Sequence, residues 1–201
     1  MELIIFLVIL LFSVIIHEVM HGAVAEKFGD YTARDAGRLT LNPIPHIDPF
    51  GSILVPALMY LSTQGAFVFG AAKPVPVNFE NMRKPRLGMV IVSLAGPFSN
   101  LIIAFLLSLP ITLGIIDQNL GDIIIKAVGL NLGLFVLNML PIPPLDGSKV
   151  IAALLPYKAM DTVLRFEQYG FIILLLLLFS GALTSIILPI VVFFFRLFGL
   201  A

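Results

Sequence analysis

Apolar residues run almost unbroken from about Leu3 to Ala25, and the polar residues that interrupt them, Ser13, His17, Glu18 and His21, fall from the middle of the run onward. A run of this length meets the roughly 20 residues that a helix needs to cross a ~30 Å hydrocarbon core. The next stretch, Phe28 to Phe50, is polar. Within it "GRLTLNP" alternates with the period of a strand, while Pro43, Pro45 and Pro49 exclude a helix, which predicts a short hairpin near the membrane surface. Gly51 to Ala72 is apolar again, but Pro56 and the turn Ser62 to Gly65 break it into two pieces too short to span, as in a re-entrant segment. Leu87 to Ile116 and Ile123 to Leu140 predict two further spans, the second closed by Pro141, Pro143 and Pro144. Phe171 to Leu200 reads as one tilted span or as two short ones divided at Ser180 to Ser185. The pattern predicts an all-α polytopic membrane protein with about five to six membrane segments, a hairpin-like loop and a re-entrant segment, forming a single domain over residues 1–201.

Composition removes the soluble alternative. Hydrophobic residues make up 59% of the chain and charged residues 12%, against about a quarter charged in ordinary globular domains, so a soluble fold would have no polar coat. Met1 and Glu2 supply no basic start and no small-residue cleavage site follows, so the first run is expected to be retained as a span. There are no cysteines, which leaves His, Asp and Glu as metal ligands. The formal net charge is zero, and no basic stretch of the kind that binds nucleic acid occurs. The basic residues cluster instead in three loops, around Arg34 and Arg38, around Lys73 to Arg86, and around Lys149 to Arg165. Short basic loops face the cytoplasm. With the acidic loop Asp117 to Asp122 outside, this places the N-terminus outside and requires Gly51 to Ala72 to return to its own side. The chain is thus expected in the cell membrane, multi-pass, with the chemistry described next toward the cytoplasmic side.

His17, Glu18 and His21 read H-E-V-M-H. On a helix the two imidazoles lie one turn apart on one face, where both reach one zinc, and Glu18 at a neighbouring azimuth can contact a zinc-bound water as a general base. Ionisable side chains within a span cost roughly 2.5 to 3.5 kcal/mol each, which argues against idle polar groups here. A catalytic zinc takes three protein ligands and keeps a fourth position open. The candidates for the third are His46, Asp48 and Asp146. Asp146 follows a proline break at the inner end of a span, at the depth of the His17 face; it could also cap the helix that begins near Gly147. His46 and Asp48 sit in a surface-like proline loop.

H-E-x-x-H at His17 to His21, A-G-P-x-x-N at Ala95 to Asn100 and N-x-x-P-x-x-x-L-D-G at Asn138 to Gly147 together resemble the site-2 protease family of intramembrane zinc metalloproteases, over roughly residues 3 to 155. The resemblance implies one zinc per chain held by His17, His21 and Asp146, Glu18 as general base, and Asn138 beside the substrate carbonyl. Asn100 is a second, weaker candidate for substrate contact, although an Asn inside a bundle commonly bonds only a neighbouring helix. It also implies a catalytic core of about residues 3–155 followed by C-terminal membrane segments over about 166–200, with a transmembrane protein or peptide as substrate and the lipid bilayer as partner. The 201 residues carry no PDZ or CBS domain, and Gly51 to Ala72 is longer than in the most minimal members. The competing reading is a non-proteolytic membrane metal-binding protein or metal permease, which needs further ligands strung through the membrane. An unwound substrate is expected to add as a strand near Leu39 to Leu41.

Overall fold

A computed structural model describes residues 2–48, 73–116 and 118–200. The re-entrant reading of Gly51 to Ala72 falls outside the described residues.

Three helices are long and apolar enough to cross a membrane: α1 (Glu2–Phe28), α3 (Pro85–Thr112) and α4 (Gln118–Met139), with spanning stretches Ile4–Phe28, Pro85–Thr112 and Leu120–Met139. A one-turn helix, α2 (Thr32–Asp35), follows the first. After the proline break come α5 (Asp146–Leu154), α6 (Tyr157–Arg165), α7 (Glu167–Phe179) and α8 (Ala182–Leu197). The C-terminal run divides at Ser180 and Gly181, where Gly181 takes a left-handed φ of 75°, a conformation that glycine adopts without a Cβ penalty. The stretches Tyr157–Gly170 and Ile172–Phe179 meet at a 64° bend and make a fourth span only if taken as one. The count among the described residues is therefore three or four spans; the five to six membrane segments expected also take in Gly51 to Ala72, which lies outside them. The expected acidic loop is also shorter, because α4 already includes Asp122.

Side-chain contacts give the helix directions. Phe28, the last residue of α1, accepts from the Arg83 amide at 3.0 Å, while His17, eleven residues earlier, meets Asn100 deep in α3. α1 and α3 are therefore antiparallel, and α4 pairs with α3 through Asn131 and Asn100. Ala104, Val128 and Leu132 form the core between α3 and α4, and Val191, Phe194 and Phe195 of α8 cover it. The outward faces are apolar, with Ile4 67%, Ile102 56% and Leu176 66% exposed, as suits surfaces whose solvent is hydrocarbon.

The expected hairpin is not formed among the described residues, which contain no strand. Leu39 to Leu41 is a series of bends. Thr40 Oγ1 takes the Asn42 amide at 3.1 Å and Asn42 Oδ1 takes the Ile44 amide at 3.1 Å; such local captures compete with a β-ladder for the same backbone donors. A 3₁₀ turn at Ile44–His46 follows. The Lys73 amide then donates to the His46 carbonyl at 3.0 Å, and Arg38 Nη2 donates to the Lys73 carbonyl at 2.6 Å. The chain thus departs at His46 and returns at Lys73 at one place.

Asp30 ties this end of the bundle together. Fully buried just beyond α1, it accepts from the amide and hydroxyl of Thr32, from the Asn78 amide at 2.7 Å and from Asn81 Nδ2 at 3.0 Å. Burial pushes its carboxyl upward, and these hydrogen bonds outweigh that push, leaving it below the ordinary carboxylate value. A depressed folded-state value means that the stability it contributes is present above the unfolded value and is lost as pH falls through the folded one. Asp30→Ala should therefore cost about 1–3 kcal/mol at neutral pH, from donors left unpaired, and the difference from wild type in thermal melts should shrink on acidification. A constant difference down to strongly acidic pH would show that the charge is not what matters. Because Phe28, His46, Lys73 and Arg83 meet at one end, cysteines placed at the exposed positions 34 and 83 should be labelled by an impermeant thiol reagent from the same side of the membrane. Labelling from opposite sides would contradict the hydrogen-bonded closure.

Candidate metal centre

α1 is apolar on nearly every side, so the orientation of its polar residues is set by partners rather than by amphipathic pattern. His17 and His21 turn inward and are buried, at 6% and 8% exposed. They stand roughly 10 to 16 Å along the helix from its end at Phe28, at 1.5 Å per residue.

Each imidazole is oriented through Nδ1. The Ala127 carbonyl can only accept, so Asn131 turns Nδ2 toward it at 2.9 Å and presents Oδ1 to Asn100 Nδ2 at 3.0 Å. Asn100 also donates to the Ser13 carbonyl at 3.2 Å, which leaves its Oδ1 to accept from His17 Nδ1 at 2.7 Å. His21 Nδ1 donates to the Val92 carbonyl at 2.7 Å. Pro97 removes the N–H that would bond the neighbouring Ser93 carbonyl, so α3 is loosened just where His21 uses its backbone.

Both Nε2 atoms are then directed at Asp146. Nε2 to Nε2 is 3.0 Å, and Asp146 Oδ2 is 3.2 Å from each ring. In neutral rings whose Nδ1 protons are committed elsewhere, these three atoms are all acceptors, an arrangement that a single divalent cation satisfies. Ligand atoms on a tetrahedral zinc, at about 2.0–2.2 Å from it, stand roughly 3.3 Å apart, so the spacing fits zinc. Among the described residues these three form the group that could hold a metal ion.

Asp146 reaches the rings because its side chain does not cap α5. Leu145 is the N-cap residue and no side chain caps the helix. Gly147 lets α5 start beneath the end of α4, since a Cβ there would lie 2.4 Å from the Met139 carbonyl oxygen and 2.5 Å from that of Leu140. Gly96 plays the same part on α3, where a Cβ would meet His21 Nε2 at 2.3 Å and His17 Nε2 at 2.6 Å.

The other sequence candidates divide. Glu18 is half-buried and faces, with His21 and Asp146, a cavity of about 370 Å³. Its Oε2 accepts from the Val75 amide at 2.7 Å. Pro74 and Pro76 have no N–H, so Val75 offers the one backbone donor of that triplet. Asn100 is fully buried behind His17 with its amide groups engaged, away from the cavity lining. Asn138 donates Nδ2 to the Leu134 carbonyl at 3.0 Å and does not line the cavity either. His46 is buried in its own turn, with Nε2 donating to the Thr40 carbonyl at 2.9 Å, and neither it nor Asp48 joins the metal-ligating group. The sequence reading did not single out Asn131, Lys149 or Val75. For Asn131 there was a signal: a polar residue inside an apolar span, two turns before Asn138.

If Gly96 is the space into which the imidazoles fit, Gly96→Ala should abolish stoichiometric zinc binding. Gly133→Ala on α4, where a Cβ meets nothing within 4 Å, should leave it intact. Full zinc occupancy in Gly96→Ala, read by elemental analysis of the purified protein, would refute the packing argument.

The chain is 45% identical over 177 residues to the "Putative zinc metalloprotease YwhC" of Bacillus subtilis (strain 168), across 84% of this chain and 77% of that protein. It is 32% identical over 201 residues to the "Putative zinc metalloprotease Rip2" of Mycolicibacterium smegmatis, across 95% and 73%. It is 31% identical over 195 residues to the protein of the same name from Mycobacterium tuberculosis (strain H37Rv), again across 95% and 73%. No family model matches the chain. No solved structure matches it.

Proposed function

This chain belongs to the site-2 protease family of zinc metalloproteases, and from that premise we propose that it is a zinc-dependent endopeptidase cutting membrane-spanning substrates within or at the edge of the bilayer. The observation that carries the reading is the joint placement of the His17, His21 and Asp146 ligand atoms and the Glu18 carboxylate, set by helices apolar enough to cross a membrane. One zinc per chain would be held by those three residues, and when bound it supplies a Lewis acid that polarises a carbonyl and acidifies water.

The chain's own residues do the rest. Asn100 and the Val92 carbonyl hold the two rings in the tautomer that presents Nε2, the kind of support that commonly sets metal affinity. Glu18, anchored through one oxygen by the Val75 amide, keeps the other to take a proton from the attacking water and return it to the leaving amine. The cavity admits water and an unwound stretch of peptide. For Asn138 to contact the substrate carbonyl, its amide would have to leave Leu134.

The substrate would be a transmembrane protein or peptide, reached from the bilayer by a single-domain, multi-pass protein of the cell membrane. A cytoplasmic position for the site is supported by Arg34, Arg38, Arg83 and Lys84, which gather beyond the end of α1 nearer to it. A permease would use a series of ligand clusters, and among the described residues a single cluster occurs.

Glu18→Gln should retain zinc and lose peptide cleavage by about 10²-fold or more, since the amide keeps the shape but takes no proton. Turnover within about tenfold of wild type, in protein shown to hold zinc, would assign water activation to another group.

A further inference from the structure

The cavity in front of His21 and Asp146 is rich in acceptors, and besides Lys149 its side-chain donors come down to the Ser93 hydroxyl, buried and without a hydrogen-bond partner among the described residues. Glu18, Asp146 and Glu167 bring carboxylates to it, His21 has committed its Nδ1 proton to Val92, and the Val75 amide is engaged by Glu18. A scissile carbonyl that becomes an oxyanion needs the opposite, a donor or a positive charge held where the negative charge develops. Asn138 does not line the cavity, and its amide is bonded within its own helix.

Lys149 is the one cation among the described residues that line the cavity. It stands one turn beyond Asp146 on α5, its side chain 29% exposed, with Nζ 3.8 Å from Asp146 Oδ1. That separation exceeds a hydrogen bond. The ammonium carries three N–H donors, and none of them is within hydrogen-bonding distance of a protein acceptor among the described residues. The ammonium is held at the cavity wall beside Asp146.

Resting on the endopeptidase reading above, the geometry points to Lys149 as the donor to the scissile carbonyl oxygen. As the water oxygen bonds to the carbonyl carbon, Glu18 takes the water proton and the C=O π pair moves onto the oxygen. Lys149 donates a hydrogen bond to that oxygen without surrendering its proton. When the C–N bond breaks, the pair returns to re-form the carbonyl, and Glu18 delivers its proton to the departing amine.

The test uses the full chain, zinc-loaded in detergent, as wild type, Lys149→Met and Lys149→Arg. Zinc content, kcat and KM on a peptide, and the affinity of a phosphinic peptide, whose tetrahedral anionic centre mimics the oxyanion, are measured on each. Lys149→Met should keep its zinc and its KM and lose about 10²–10³-fold in kcat, with phosphinic-peptide affinity falling in parallel. Lys149→Arg should regain most of both. A Lys149→Met kcat within about tenfold of wild type would overturn the proposal. So would loss of zinc from that variant, which would make Lys149 a support for Asp146. If zinc-loaded wild type cleaves no peptide, the endopeptidase reading fails instead, and equal phosphinic-peptide affinity in wild type and Lys149→Met would then overturn the role of Lys149 separately.

Discussion

Two protons govern this molecule. His17 and His21 direct their Nδ1 protons away from each other, to Asn100 and to the Val92 carbonyl, so the Nε2 lone pairs converge with a carboxylate oxygen within 3.0–3.2 Å. Convergence of acceptors in a protein interior is unfavourable unless a cation joins them. Much of the surrounding fold serves to hold it. α4 supplies Asn131 to orient Asn100, α3 supplies the loosened backbone near Pro97 and the bare surface of Gly96, and the proline break before α5 swings Asp146 inward.

The same requirement explains where polar residues are found in such an apolar chain. Ser13, Asn100 and Asn131 would each be costly in hydrocarbon, yet each lies inside the bundle, and the two amides form a relay ending on the Ala127 carbonyl. Removing the middle member would leave His17 Nδ1 and Asn131 Oδ1 without these partners at once. Such networks carry more than the sum of their pairs.

What could be read from the sequence was what repeats or what recurs at fixed spacing. Spans near α1, α3 and α4 follow from runs of apolar residues, and the pairing of His17 with His21 follows from one helical turn. The proline break and the loop charges favoured Asp146 over His46 and Asp48 as the third member, and the family resemblance implied it. Tertiary coincidences were not legible. The Cβ-sized space at Gly96, the Val75 amide meeting Glu18 across 57 residues of sequence, and Lys149 at the cavity wall each depend on how helices cross. The hairpin was misread because alternation at "GRLTLNP" counts side chains, whereas Thr40 and Asn42 had already claimed backbone amides that a ladder would need. The fused C-terminal run was undecided by length and was divided by one left-handed glycine, Gly181.

The hydrogen bond between the Lys73 amide and the His46 carbonyl acts as a clasp. Because the clasp fixes the register of Lys73, it also fixes Val75 two residues on, and with it the seat of the Glu18 carboxylate. The length of chain outside the clasp is thereby uncoupled from the chemistry inside it. As long as the clasp closes, the seat of Glu18 stays in register whatever number of residues joins His46 to Lys73.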